Sequence, residues 1–173
     1  MNNKVKFFLT AMISAGIVLA IYILLHEGGH TLVAALCGAE ITEFSFFGAH
    51  MSYTGGIFSQ VTLSLLHAAG MLLPVSISII YLIMYRRKIE SSIYRIFSFL
   101  FIVLPLCSLL AWVFVPIQYM MGIAPVGEDV TKFISCSGIH PLAVTISALL
   151  LISLTLLFAW KKGVIKNYIN TIK

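Results

Sequence analysis

Long apolar runs separated by short polar stretches dominate this chain, and four of them are long enough to cross a bilayer. The first extends from about Lys6 to Cys37 and the second from Val61 to Tyr85. The third extends from about Ile96 to Met121 and the fourth from Pro141 to Trp160. Each contains about the 20 apolar residues that a membrane-spanning helix needs. The pattern therefore predicts an all-α membrane protein with about four transmembrane helices.

Two of the connections between these segments have a distinct composition. The first contains the aromatic and β-branched stretches Ile41–Phe47 and Met51–Thr54, which favour a small hairpin-like insertion after the first helix. The third contains Gly127 and Glu128, which are typical of a helix start and predict a short helix between the third and fourth segments.

The hairpin-like insertion has two interpretations that the sequence leaves open. Its free edge could hold an extended peptide by strand addition, because it follows directly on the first segment. Alternatively, it is a membrane-surface loop anchored by three aromatic side chains, Phe44, Phe46 and Phe47.

Composition agrees with insertion into a lipid bilayer. Hydrophobic residues make up 60% of the chain and charged residues only 10%, whereas soluble domains carry about 25% charged residues. The net charge of +5 does not indicate nucleic-acid binding, because the basic residues stand in short clusters between apolar runs, where they set topology. We see no linker or repeat, so we expect one domain over residues 1–173.

The distribution of basic residues also predicts an orientation. They lie before the first segment, between the second and third, and after the fourth: Lys4, Lys6, Arg86, Arg87, Lys88, Arg95, Lys161, Lys162 and Lys166. The other two connections together contain one basic residue, Lys132. The positive-inside rule then predicts a multi-pass protein of the cell membrane with both termini in the cytoplasm.

The first segment contains the chain's clearest chemical motif, H-E-x-x-H at His26, Glu27 and His30. Residues four apart share one face of a helix, so both imidazoles can bind one metal ion, with Glu27 beside them as a general base. Ionisable groups are costly inside a bilayer and usually functional there, which favours a zinc site over a polar helix contact. The apolar run continues unbroken into the motif, so we expect no signal-peptide cleavage.

A catalytic zinc site needs a third protein ligand and an open position for water. Asp129, the only aspartate in the chain, is expected at the same side of the membrane as the histidines. Glu128 is the alternative ligand, and a helix cap is the alternative role of Asp129. His67 is a candidate contact for substrate or for the oxyanion, although intramembrane histidines also form hydrogen bonds between helices.

An H-E-x-x-H motif in the first membrane helix, a hairpin-like insertion and a later lone Asp resemble the site-2 protease family of intramembrane zinc metalloproteases. The resemblance implies that His26 and His30 are zinc ligands, that Glu27 is the catalytic base and that Asp129 is the third ligand. It also implies Zn²⁺ as cofactor and a membrane-embedded protein or peptide as substrate.

The chain departs from the family pattern in two places. Asp129 is followed by Val130, where many members have Asp-Gly, and Gly70-Met-Leu-Leu-Pro74 lacks the Asn of the Gly-Pro-x-x-Asn motif found in a neighbouring helix. The chain therefore resembles a minimal, divergent member of the family.

The sequence predicts a metalloprotease that hydrolyses peptide bonds of a membrane-embedded or hydrophobic peptide. A metalloprotease of the prenyl-protein-processing kind would use the same chemistry on another substrate. The non-enzymatic alternative is a small transporter or carrier of protons or metal ions, because transporters also place ionisable groups in the bilayer.

Overall fold

Within residues 3–172, which the computed structural model describes, the chain forms six helices and one two-stranded sheet. In chain order the elements are α1 (Asn3–Leu36), β1 (Ala39–Ser45), β2 (His50–Gly55), α2 (Gln60–Met84), α3 (Ser92–Met120), α4 (Asp129–Ser137), α5 (Pro141–Lys162) and α6 (Val164–Ile172). Four of these helices, α1, α2, α3 and α5, are long and apolar enough to cross a membrane. The predicted all-α membrane architecture is confirmed, with its hairpin and its short helix.

Serine caps explain where two of the long helices begin. The Ser59 side chain accepts a hydrogen bond from the backbone N–H of Thr62, whose hydroxyl accepts one from the backbone N–H of Ser59. Ser91 accepts from the backbone N–H of Tyr94, so α3 begins at Ser92, four residues before the predicted segment. A serine oxygen satisfies N–H groups that have no partner within the helix, which sets the start independently of hydropathy.

Close contact between α1 and α2 depends on Gly29. A Cβ atom at this position would collide with the backbone carbonyl of Ala69 on α2. Around this crossing a small buried cluster joins the two helices, formed by Val33, Ala34, Leu66 and Ala69. The crossing brings the face of α1 that carries the H-E-x-x-H motif directly against α2.

The hairpin is fixed on this pair of helices. Its strands are antiparallel, with Ile41 opposite Tyr53 and Phe44 opposite Met51, and an irregularity lies between Ile41 and Glu43. Side chains from both strands pack against the buried cluster of α1 and α2. The predicted hairpin is confirmed, and its first strand begins two residues earlier than the predicted stretch.

Helix α4 lies beside the first turns of α2 and runs in the opposite direction. At its end the carbonyl of Cys136 accepts a hydrogen bond from the Gln60 side chain, at the start of α2. Along its length Val130 is buried, and the ring of Phe133 lies 5.2 Å from that of Trp112. Because Cys136 is near the start of α2, the beginning of α4 lies further along α2, deeper in the bundle.

Helix α6 was not predicted from the sequence. Its Asn167 side chain donates hydrogen bonds to the Tyr85 hydroxyl and to the Arg87 carbonyl, and its Tyr168 ring stacks on Phe99 with centroids 3.9 Å apart. The apolar residues that recur every three or four positions after Gly163 are the available signal. They are too few for a membrane span, so the hydropathy pattern alone does not predict this helix.

Candidate metal centre

Three side chains converge where α1, α2 and α4 meet. The Nε2 atom of His30 lies 3.1 Å from Oδ2 of Asp129, and the Nε2 atom of His26 lies 3.5 Å from the same oxygen. The two Nε2 atoms are 3.3 Å apart. Ligand atoms of one tetrahedral zinc ion, at bond lengths near 2 Å, are separated by about 3.3 Å. The three atoms are therefore spaced as zinc requires.

Hydrogen bonds on the far side of each imidazole orient the rings. The Nδ1 atom of His30 lies 2.7 Å from the Leu66 carbonyl oxygen, which can only accept, so Nδ1 carries the hydrogen. The Nδ1 atom of His26 lies 3.4 Å from the Tyr22 hydroxyl. A ring with its hydrogen on Nδ1 can present the lone pair of Nε2 to a metal, and for His30 this nitrogen faces His26 and Asp129, as in many metal sites.

Space beside the imidazoles depends on Gly70 of α2. A Cβ atom at Gly70 would lie 2.7 Å from Cε1 of His26 and 2.8 Å from Cε1 of His30, and closer still to Nε2 of His30. The sequence did not assign this residue a role in the metal site. Its contact with the histidines depends on the helix crossing, to which sequence gives no access.

We expect Gly70→Ala to lower zinc affinity by about 10-fold or more, because the added methyl group displaces the ligand nitrogens. Gly28→Ala is the matched control, since a Cβ atom there meets nothing within 4 Å. Both substitutions replace a helical glycine by the same residue, so their effects on helix propensity are similar. The measurement is zinc titration of the purified variants, and equal affinities would contradict this geometry.

Asp129 and not Glu128 is the acidic residue that joins the two histidines. Glu128 is the exposed N-cap of α4, and Asp129 is its first residue. Burial raises the pKa of Asp129, but hydrogen bonds and charge interactions with His26 and His30 outweigh it and hold the pKa well below its usual range. An ionised carboxylate therefore faces the two imidazoles. His26, His30 and Asp129 form a group that could hold a metal ion.

Glu27 is buried next to this group. Its side chain is 6% exposed, and its Oε1 atom lies 4.0 Å from Nε2 of His26. That distance is too long for a shared hydrogen bond and leaves the carboxylate free to act on a molecule between it and the ligand atoms.

A cavity of about 360 Å³ lies at this site, and its lining includes His26, Glu27, His30 and Asp129. One wall is β2, through Met51 and Tyr53, and His67 of α2 and Lys132 of α4 also line it. The structure thus brings His67 to the cavity, whereas its role stays a prediction. A second cavity of about 700 Å³, between α2, α3, α4 and α5, is lined by no His, Cys or charged side chain, so it offers no comparable chemistry.

Comparisons of this chain with protein-family models, with curated proteins and with solved structures found no match. The fold and the site together define a membrane protein with a candidate metal centre. Membership of the site-2 protease family stays a prediction.

Proposed function

We propose that this protein is an intramembrane zinc metalloprotease that hydrolyses peptide bonds of a membrane-embedded or hydrophobic peptide. The observation that carries the proposal is the convergence of His26, His30 and Asp129 beside the buried carboxylate of Glu27. His26, Glu27 and His30 belong to α1. Asp129 belongs to α4 and follows His30 by 99 residues in the chain.

The chemistry of the three ligand atoms favours zinc over other common ions. Two imidazole nitrogens and one carboxylate oxygen match the His₂-carboxylate set of catalytic zinc sites, which leave a fourth position open. Calcium and magnesium prefer sites made of oxygen atoms only. The cavity beside the ligand atoms provides room for a water molecule and a substrate carbonyl.

Glu27 is placed to move the proton that peptide hydrolysis requires. When bound, zinc supplies a Lewis acid that lowers the pKa of water toward about 7 and polarises a carbonyl. The Glu27 carboxylate accepts the proton of the attacking water and then delivers it to the leaving nitrogen, so the amine departs neutral. His67, which also lines the cavity, is a candidate contact for the substrate.

The depth of the site supports a hydrophobic substrate. His26 lies ten residues before the end of α1 at Leu36, about 15 Å along the helix axis. The hydrocarbon core of a bilayer is about 30 Å thick, so with the end of α1 at the bilayer surface the site would lie within the apolar layer. Within the described residues β2 pairs only with β1, which leaves its other edge available to an extended peptide by strand addition.

Removal of the metal tests the proposal. We expect the purified protein in lipid nanodiscs to cleave hydrophobic peptides, to lose this activity on treatment with EDTA, and to regain it with about one equivalent of zinc but not with magnesium. Mass spectrometry of the peptide products gives the measurement.

Two results would contradict the proposal. Hydrolysis that resists full removal of the metal would exclude the zinc mechanism. Zinc or proton flux in proteoliposomes without any hydrolysis would favour the carrier.

A further inference from the structure

A layer one helical turn from the candidate metal centre contains two side chains that the proposed proton transfer does not use. His67 precedes Gly70 by three residues on α2, and Lys132 follows Asp129 by three residues on α4. Residues three apart share a face of a helix and differ in height by about 4.5 Å. Each side chain therefore lies one helical turn from a residue at the centre.

His67 and Lys132 are offset from the metal centre toward the same end of the bundle. Helices α2 and α4 are antiparallel, with Cys136 near the end of α4 in contact with Gln60 at the start of α2. One turn back along α2 and one turn forward along α4 both lead from the centre toward this end of the bundle. His67 and Lys132 line the same cavity from facing helices, between the centre and the connections.

The cation in this layer is not neutralised by the protein. Among the residues that the structure describes, no carboxylate lies within 4.0 Å of the Lys132 ammonium group. The carboxylates that line the cavity, Glu27 and Asp129, both belong to the centre below. His50, which lines the rim, has its own carboxylate partner, Glu43, at 3.2 Å.

Lys132 is also the only Lys or Arg in the two connections at this end of the bundle. Lys132 is exposed, shares a face of α4 with Asp129 and lines the cavity of the centre. A ligand group that binds between Lys132 and His67 should therefore carry a negative charge and accept hydrogen bonds.

We propose that Lys132, with His67, binds the free α-carboxylate of the substrate, so that the protein removes the last residue of a hydrophobic peptide as a carboxypeptidase. This inference rests on the proposed function. The hydroxyl of water forms a bond to the carbonyl carbon of the last peptide bond, the C–N bond breaks, and the proton of the water passes to the leaving nitrogen. The products are a shortened peptide and one free amino acid.

Distances along a peptide match the separation of the two layers. Consecutive residues of an extended chain are about 3.3–3.6 Å apart, so the terminal carboxylate lies about that far beyond the carbonyl of the last peptide bond. The layer of Lys132 lies about 4.5 Å from the centre along the helices, which is close to one such step, so the terminal carboxylate comes to the level of Lys132.

The test uses two peptides with the same apolar sequence, one ending in a free acid and the other in an amide. With the zinc-loaded protein in nanodiscs we expect release of single C-terminal residues from the acid, and about 10-fold lower kcat/KM for the amide. Lys132→Met should reduce the ratio of kcat/KM for the acid to that for the amide to about one. Lys132→Arg should retain the preference.

Lys166→Met is the matched control, because Lys166 is an exposed lysine of α6 at the opposite end of the bundle. Equal rates for acid and amide, or products cut at internal bonds, would overturn the carboxypeptidase inference and leave the metalloprotease proposal standing. If neither peptide is cut by the wild-type protein, the proposed function fails, and binding alone then decides the inference.

Binding is measured by calorimetry with the Glu27→Gln variant, which cannot consume the peptide. Affinity about 10-fold tighter for the acid, lost in the Glu27→Gln/Lys132→Met double variant, would support the carboxylate site. Equal or absent binding of the two peptides would overturn it.

Discussion

Glu27→Gln is expected to abolish peptide hydrolysis while the purified protein keeps nearly all of its zinc. The glutamine side chain has the same size and can accept a hydrogen bond, but it cannot take up the proton of the attacking water. General base catalysis contributes about 10²–10⁴-fold to rates, so kcat should fall by at least about 100-fold. Zinc content should persist because Glu27 lies outside the group of three ligand residues.

The measurement is kcat for a hydrophobic peptide, together with zinc content and the thermal melting of the helical circular-dichroism signal. Glu90→Gln is the matched control, since Glu90 is exposed in the connection between α2 and α3, at the opposite end of the bundle. A Glu27→Gln variant that melts like the wild type and retains activity within about 10-fold would remove Glu27 as the base. A variant that loses its zinc would make Glu27 a ligand instead.

The part of the site that lies on one helix was accessible from sequence. His26 and His30 are four residues apart, and the helical repeat alone places them on one face. The apolar run around them fixed the helix, so the juxtaposition of the two imidazoles followed without knowledge of any other element. The structure places their Nε2 atoms 3.3 Å apart, as that spacing predicts.

The identity of the third ligand could be predicted only in part from the sequence. Two membrane crossings return the chain to the same end of the bundle, which restricted the choice to Glu128 and Asp129 there, apart from two glutamates in the hairpin. Which of the pair faces the histidines depends on where α4 begins and on its rotation against α2. The rotation of α4 depends on tertiary packing, because Val130 is buried and Phe133 contacts Trp112 of α3.

Other features of the site depend wholly on tertiary structure. The carbonyl that holds the His30 ring belongs to Leu66, an apolar residue whose backbone role leaves no trace in its side chain. Gly70 likewise stands in an apolar helix, where a glycine is compatible with many kinds of helix packing. Only the crossing of α1 and α2 reveals what these two residues do.

Asp129→Ala is expected to lower zinc affinity by at least about 10-fold and to abolish hydrolysis, because it removes the only carboxylate in the ligand group. Glu128→Ala should be much milder, since Glu128 is an exposed N-cap whose side chain makes no capping hydrogen bond. The two variants remove one acidic residue each from adjacent positions, so each controls for the loss of charge in the other. Loss of zinc in Glu128→Ala with retention in Asp129→Ala would assign the ligand to Glu128.

The most direct measurement of the central claim is the zinc content of the purified protein after dialysis, by inductively coupled plasma mass spectrometry. With His26, His30 and Asp129 as ligands, the wild-type protein should hold about one zinc ion per chain. The His26→Ala/His30→Ala double variant should hold almost none, while its helical content remains that of the wild type. Stoichiometric zinc in the folded double variant would contradict the site, and with it the proposed chemistry.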